Sequence, residues 1–425
     1  MGVLVLALAV IAAARPASFS ADPQKTELEL ELHEFGIHGD LAAPIGQVSL
    51  HVTNSGTMVH NVSLEGGPST PDLNPGEEAN LDLGPLDAGV YTLFCSIAGH
   101  RESGMEAQLV VGQAAAGGQE EEMTAEQMDR MMLDSMEAYP VETNGHGNLP
   151  LEPTVAEDGA KEFELVAAVT PWEVAPGEVV DAWTYNGTAP GPLLRVDLGD
   201  LVRIKVTNNT ELSTDIHLHG VSLPNEMDGV SPITQDPIEP GQTFTYEFMA
   251  EKPTIAMYHA HLHSQVSVPN GMFGAFIIDP VPTPAGTTVA GVDIPVNLEV
   301  AQEIPMVLND AGVIGFSLNG KSFPATEPVV ANLGDWIVVH YFNEGLQIHP
   351  MHAHQFPQLV YAKDGIPLDQ PYWADTLAIA PGERYSVLMH LDRPGVWVWH
   401  CHILNHVEKE TGMFGMVTAI IVQQP

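Results

Sequence analysis

The chain has 425 residues, enough for about three domains of ordinary size, and its 14 Lys+Arg against 55 Asp+Glu leave a formal net charge of -41. So acidic a chain repels nucleic acid and anionic membrane surfaces and attracts cations, which excludes polyanion-binding functions. Gly (39) and Pro (34) are frequent and short apolar runs alternate with polar residues, the profile of an all-β protein with many turns.

In chain order, residues 1–24 come first. The apolar run over residues 3–14 is too short to span a bilayer and small residues follow it, so a signal peptide is expected, with an N-terminal anchor as the alternative. Either one puts the folded part outside the cytoplasm. Residues 25–112 form a first unit, opening on TELELELHEF, whose period-2 alternation predicts a strand. Residues 113–150 follow as an acidic, Met-rich linker. Within it Thr124 and Gln127 fit a capping box, and Met128, Met132 and Met136, with Met131 beside them, share one face of the predicted helix. That stripe serves either as a docking face or as a thioether site for Cu(I); docking is the expected use. The remainder is duplicated. Residues 184–208, 240–261 and 270–278 match residues 316–343, 381–402 and 411–421 in the same order, so two β domains of common design are expected, at 151–285 and 286–425.

The chemistry sits in four histidine motifs: HLHG (217–220), HAH (259–261), HPMHAH (349–354) and HCH (400–402). On a strand, residues i and i+2 share a face, so each H-x-H presents two imidazoles side by side. Core packing does not account for them, because buried imidazoles need polar partners. Within HCHILNH, Cys401 is followed by His406. A thiolate, two imidazoles and a weak thioether make a blue-copper site. His349 can supply the second imidazole and Met413 the thioether, with Met416 as the alternative.

These motifs resemble those of the multicopper oxidase (laccase-like) family, in the arrangement of its two-domain members, over residues 160–425. The resemblance implies that His217 and His352 bind the type 2 copper. His219, His259, His261, His354, His400 and His402 match the type 3 pair, and His349, Cys401, His406 and Met413 the type 1 site. Electrons would pass from the Cys401 copper through its covalent neighbours His400 and His402. In the middle domain Ala260 stands where Cys401 stands and Thr214 where His349 stands, so that domain is expected to hold no type 1 copper. The interval from His406 to Met413 is two residues longer than in most members. Asn405 occupies a position where some members carry a carboxylate, and Asp228, in MDGVSPITQ, matches the family's other acid near the type 2 copper, either as a proton donor or as a turn residue before Gly229. His263 is read as lying outside the ligand set.

The first unit repeats the blue-copper pattern by itself. Cys95 is followed by His100 and Met105, and His60 supplies an imidazole from upstream, a set that resembles the small cupredoxins of the plastocyanin and azurin type. Both cysteines are then ligands and no disulfide is expected. His33, His38, His51, His146, His340 and His390 belong to no motif.

The implied fold is all-β: three cupredoxin-like Greek-key sandwiches with a short helical linker after the first. The implied function is one-electron oxidation of a phenol, aromatic amine, metal ion or redox protein at type 1 copper, coupled to reduction of O2 to water at a trinuclear cluster. The resemblance also implies a homotrimer with the cluster between subunits, and the first-unit copper is expected to relay electrons to the Cys401 site or to accept them from a larger donor. Two alternatives remain: a copper nitrite reductase, and a non-enzymatic copper electron carrier.

Overall fold

The computed structural model describes residues 25–112 and 124–424, apart from 34–35, 40, 57, 98–99, 102–104 and 410–411. The expected signal segment therefore lies outside the described residues. Among the described residues no helix is long and apolar enough to cross a membrane. The chain divides into two units, residues 1–120 and 121–425.

The first unit has two four-stranded sheets. One runs Gly36–Gly39, Thr26–His33, Gly46–Asn54, Glu78–Leu86; the other runs Ala42–Ala43, Glu106–Val111, Gly89–Phe94, Ser63–Leu64. The alternation in TELELELH turns Leu28, Leu30 and Leu32 inward onto Val48, Leu50 and Val52, and the glutamates outward. Cys95 and Met105 belong to this same core.

The second unit repeats that sandwich twice. The middle domain joins a sheet built on Lys161–Ala175 and Leu201–Asn208 to one holding His217–His219, Thr254–His259 and Phe273–Asp279. The third joins a six-stranded sheet centred on Trp336–Asn343 and Arg384–His390 to one holding His349–Ala353, Gly395–Cys401 and Val417–Gln423. The structure is all-β in cupredoxin-like domains, as the sequence implies. Leu193, Ile255, Met257 and Phe273 of the middle domain share a core with Val307 and Phe342 of the third.

One buried asparagine recurs in all three sandwiches. Asn54, Asn208 and Asn343 are each fully buried. Each side-chain amide donates to the carbonyl four residues on (Met58, Leu212, Gln347) and to a second carbonyl distant in sequence (Leu73, Ile238, Ile379). Each side-chain oxygen accepts the N–H two residues on. The corner so fixed precedes His60, Thr214 and His349 by the same interval in every domain. The loop bearing the upstream imidazole is therefore held by the asparagine, whatever side chain the loop presents.

Candidate metal centres

In the third domain, His349–Ala353 and Gly395–Cys401 pair antiparallel, with Met351 opposite Cys401 and His352 opposite His400. Alternation turns Cys401 into the core, fully buried, and His400 the other way, half-exposed. HCH thus places one thiolate and two imidazoles on opposite sides of one strand end.

The inward group converges. Cys401 Sγ lies 3.8 Å from His349 Nδ1 and 3.5 Å from His406 Nδ1, all three residues being fully buried. Burial pushes the Cys401 thiol up to about 12 and the His406 imidazole down to about 4, so at neutral pH the His406 imidazole offers a lone pair and a cation must displace the thiol proton. Asp310, itself buried, sets a carboxylate oxygen 2.8 Å from His349 Nε2 and accepts the N–H groups of Leu346 and Gln347. In the first unit His60, Cys95 and His100 form the matching set, with Cys95 Sγ 3.4 Å from His100 Nδ1 and the His60 and His100 Nδ1 atoms 3.1 Å apart.

Two backbone hydrogen bonds register the thioether position. In the first unit Cys95 N–H donates to Met105 O, and Met105 N–H to His100 O. In the third domain Cys401 N–H donates to Met416 O, and Met416 N–H to His406 O. Met416, fully buried, therefore stands where Met105 stands; the expected Met413 does not. Met413 is half-buried in a hairpin, Glu408–Lys409 with Gly412–Met413, inserted between His406 and Met416. The inserted hairpin lengthens the spacing between His406 and Met416. Gly415, at φ 69°, is required there: a Cβ would lie 2.2 Å from His406 O.

The hairpin also receives the linker helix Ala125–Glu137. Ser135 Oγ accepts the Met413 N–H at 2.9 Å, and a Cβ at Gly412 would meet Ser135. The Thr124–Gln127 capping box is formed. The helix docks as expected, but it does so through Ser135 against backbone, so no residue of it is buried and Met128 and Met136 remain exposed.

The outward imidazoles form two sets. In the third domain the rings of His352, His354, His400 and His402 lie with centroids 4.8–5.7 Å apart. In the middle domain those of His217, His219, His259 and His261 lie 5.6–6.0 Å apart. Among the described residues no hydrogen bond or ring contact joins one set to the other, and every ring is at least part-exposed. His217, His259, His352 and His400 each direct Nδ1 to a backbone carbonyl (Asp228, Ala260, Asp375, Cys401), which leaves Nε2 for a metal. Asp228 thus holds His217 through its carbonyl, and its carboxylate lies 3.6 Å from the same ring. Gly229 follows because a Cβ there would lie 1.8 Å from Ile216 O.

Three supporting residues escaped the sequence motifs. Asp310 is one. Asp215, fully buried, accepts the N–H groups of Ser231, His261 and Leu262 and so fixes the HAH strand end. Arg384, from the third domain, donates to His219 Nδ1 at 2.6 Å and to Ile255 O; burial, with the Arg384 charge second, holds that imidazole down at about 4. His263 is exposed in a left-handed turn, outside the ring cluster.

The middle domain retains the same register without the ligands. Ala260 N–H donates to Met272 O, and Met272 N–H to Ser267 O. Thr214, Ala260, Ser267 and Met272 are all buried. No thiolate or imidazole occupies this position, as the sequence implies.

The donor sets fit copper: soft sulfur with two imidazoles inward, imidazole clusters outward. Two family models described as multicopper oxidase match residues 167–283 and 293–420, and one described as a cupredoxin-like domain matches residues 3–111. The solved multicopper oxidase mgLAC is 35% identical, with a TM-score of 0.56, over 62% of this chain and 86% of that one. The chain belongs to the multicopper oxidase family. Among other relatives, the blue copper oxidase of Nitrosomonas europaea is 33% identical, with a TM-score of 0.56, over 61% of this chain and 85% of that one. Laccase-2 of Botryotinia fuckeliana is 31% identical over 56% of this chain. This multicopper oxidase spans 45% of the length of Laccase-2 and 40% of that of the oxidoreductase OpS5 of Beauveria bassiana.

Proposed function

We propose that this chain is an exported copper oxidase that takes electrons singly from a small reductant or a redox protein and delivers them to O2. The observation that carries the reading is the pairing, on one strand end, of a buried Cys-His-His set with an exposed imidazole set, matched by four more imidazoles on the middle domain. Copper at these positions supplies one-electron acceptance at the thiolate sites and four-electron reduction of O2 to water at the histidine cluster.

The residues divide the work. His349, Cys401, His406 and Met416 hold the electron-entry copper. His217 and His352 hold the type 2 ion, and His219, His259, His261, His354, His400 and His402 the type 3 pair. Cys401 shares peptide bonds with His400 and His402, so the thiolate and the cluster are joined by the shortest covalent route the chain offers. Asp228 is assigned to proton delivery, its carboxylate being part-exposed beside His217. Among the described residues the two imidazole sets of one chain share no hydrogen bond or ring contact, which supports a homotrimer in which the middle domain of one subunit faces the third domain of the next.

The test is metal content with O2 uptake on the copper-loaded protein and a phenolic reductant. About five coppers per chain and O2 consumption without peroxide are expected. Two or three coppers, no O2 uptake and nitric oxide formed from nitrite would establish the nitrite reductase alternative instead. At the entry site, Met416→Leu should shift the blue absorption and raise the reduction potential, since a weak axial thioether tunes both, whereas Met413→Leu should leave both in place. The opposite pattern would return the axial role to Met413.

A further inference from the structure

Two residues before Cys401 stands Trp399, two before Ala260 stands Tyr258, and two before Cys95 stands Leu93. All three side chains are fully buried, and alternation turns the next residue outward: His400, His259 and Phe94. The two strands that present a cluster imidazole thus carry a polar-tipped ring beside it in the chain. The strand that presents none carries a leucine, which forms no side-chain hydrogen bond.

Each ring is anchored. Tyr258 OH donates to Pro192 O at 2.6 Å. Its ring lies against the neighbouring strand, where Gly274 stands opposite in register and a Cβ would lie 2.3 Å from the ring. A Cβ at Gly191 would lie 2.7 Å from the hydroxyl. In the third domain Trp399 Nε1–H donates to Tyr341 OH at 3.1 Å, Tyr341 OH donates to Gln358 Oε1 at 2.7 Å, and Gln358 Nε2–H donates to Met351 O at 2.9 Å. All four residues are fully buried. This run of bonds leaves the sheet that carries the ligands at Trp399, enters the six-stranded sheet at Tyr341 and Gln358, and returns at Met351. Trp399 and Met351 are chain neighbours of His400 and His352, which face each other across the paired strands. In the first unit the position of Tyr341, two before the corner asparagine, is Val52. Residue type alone therefore removes the bridge there, and the first unit assembles its thiolate set without it.

We infer that Tyr258, and Trp399 with Tyr341 and Gln358, are positioning residues for the outward imidazoles, fixing from inside the core the strand ends that carry His259, His352 and His400. The inference rests on the copper reading above. A buried polar group parted from its partner is costly, so each ring is held at one depth and one orientation, and the backbone beside it is held too. Ligands that must meet one metal from two strands depend on support of this kind.

The experiment removes hydroxyls and keeps rings: Tyr258→Phe and Tyr341→Phe in the full-length, copper-loaded chain. Copper retained per chain is followed against increasing chelator, beside the blue absorption and the melting midpoint of the copper-free protein. Both variants should keep the blue absorption of wild type and release cluster copper about tenfold more readily, the lower end of the range for groups that support a metal ligand. Tyr341→Phe leaves two buried partners unpaired; if it does not fold, Tyr258→Phe, which unpairs one backbone carbonyl, decides. Cluster copper held as tightly as in wild type overturns the inference, and a lowered melting midpoint would then mark the rings as packing alone. Blue absorption lost in step with cluster copper overturns it as well, because the anchors would then serve the thiolate. If wild-type protein retains no copper beyond its thiolate sites, the copper reading itself fails; its copper content, measured in the same series, separates the two failures.

Discussion

Cys401→Ser should abolish O2 uptake while leaving the protein blue. The residual colour belongs to the Cys95 site, whose ligands come from a separately folded unit with its own core. Loss of a group that merely supports a metal ligand costs about 10–100-fold in affinity or activity; loss of the thiolate, which is both ligand and the covalent neighbour of two cluster imidazoles, should exceed that range. The measurement is O2 consumption beside the visible spectrum and copper content of the same sample. Retained uptake would mean that electrons enter the cluster by a route that bypasses Cys401. A colourless product would mean that the first unit holds no blue copper.

The second large effect concerns assembly. His217→Ala and His400→Ala each remove an imidazole from a different half of the cluster, and each homogeneous protein should be inactive. If the halves meet between subunits, chains of the two kinds assembled together recover activity, because some sites draw an intact middle domain from one chain and an intact third domain from its neighbour. Random mixing in equal amounts leaves about a quarter of the sites intact, so about a quarter of wild-type turnover is expected. Recovery should require co-assembly, by co-expression or by dissociation and reassociation. No recovery in verified mixed oligomers would place the whole cluster within one chain and remove the reason for a trimer.

Much of this was legible because the chemistry is local. H-x-H and H-C-H fix which side chains share a strand face, and alternation alone turns Cys401 inward and its neighbours outward. The duplication was visible for the same reason: it repeats in order. What stayed hidden depends on residues distant in sequence or on loops of unequal length. Arg384 reaches His219 across 165 positions, and Asp215 caps a strand end 46 positions away. Neither leaves a motif. Asp310 looks like any strand aspartate until the loop before His349 folds over it. Spacing favours Met413 over Met416 because it assumes a constant loop, whereas the backbone hydrogen bonds of Met105 recur at Met416 across loops of different length. The methionine stripe failed as a burial signal because the helix is anchored by one serine hydroxyl at a hairpin, an interaction with no periodicity.

The hydrogen bonds that register Met272 against Ala260 and Ser267, together with the Asn208 corner, give the middle domain the frame of the Cys401 site without its thiolate and imidazoles. The residues that line this one small chamber differ, while the frame around it matches to the level of single backbone bonds. The frame is therefore held by the domain's own packing rather than by the side chains at this position, which need carry no ligand while the imidazoles stand on the domain's outer edge.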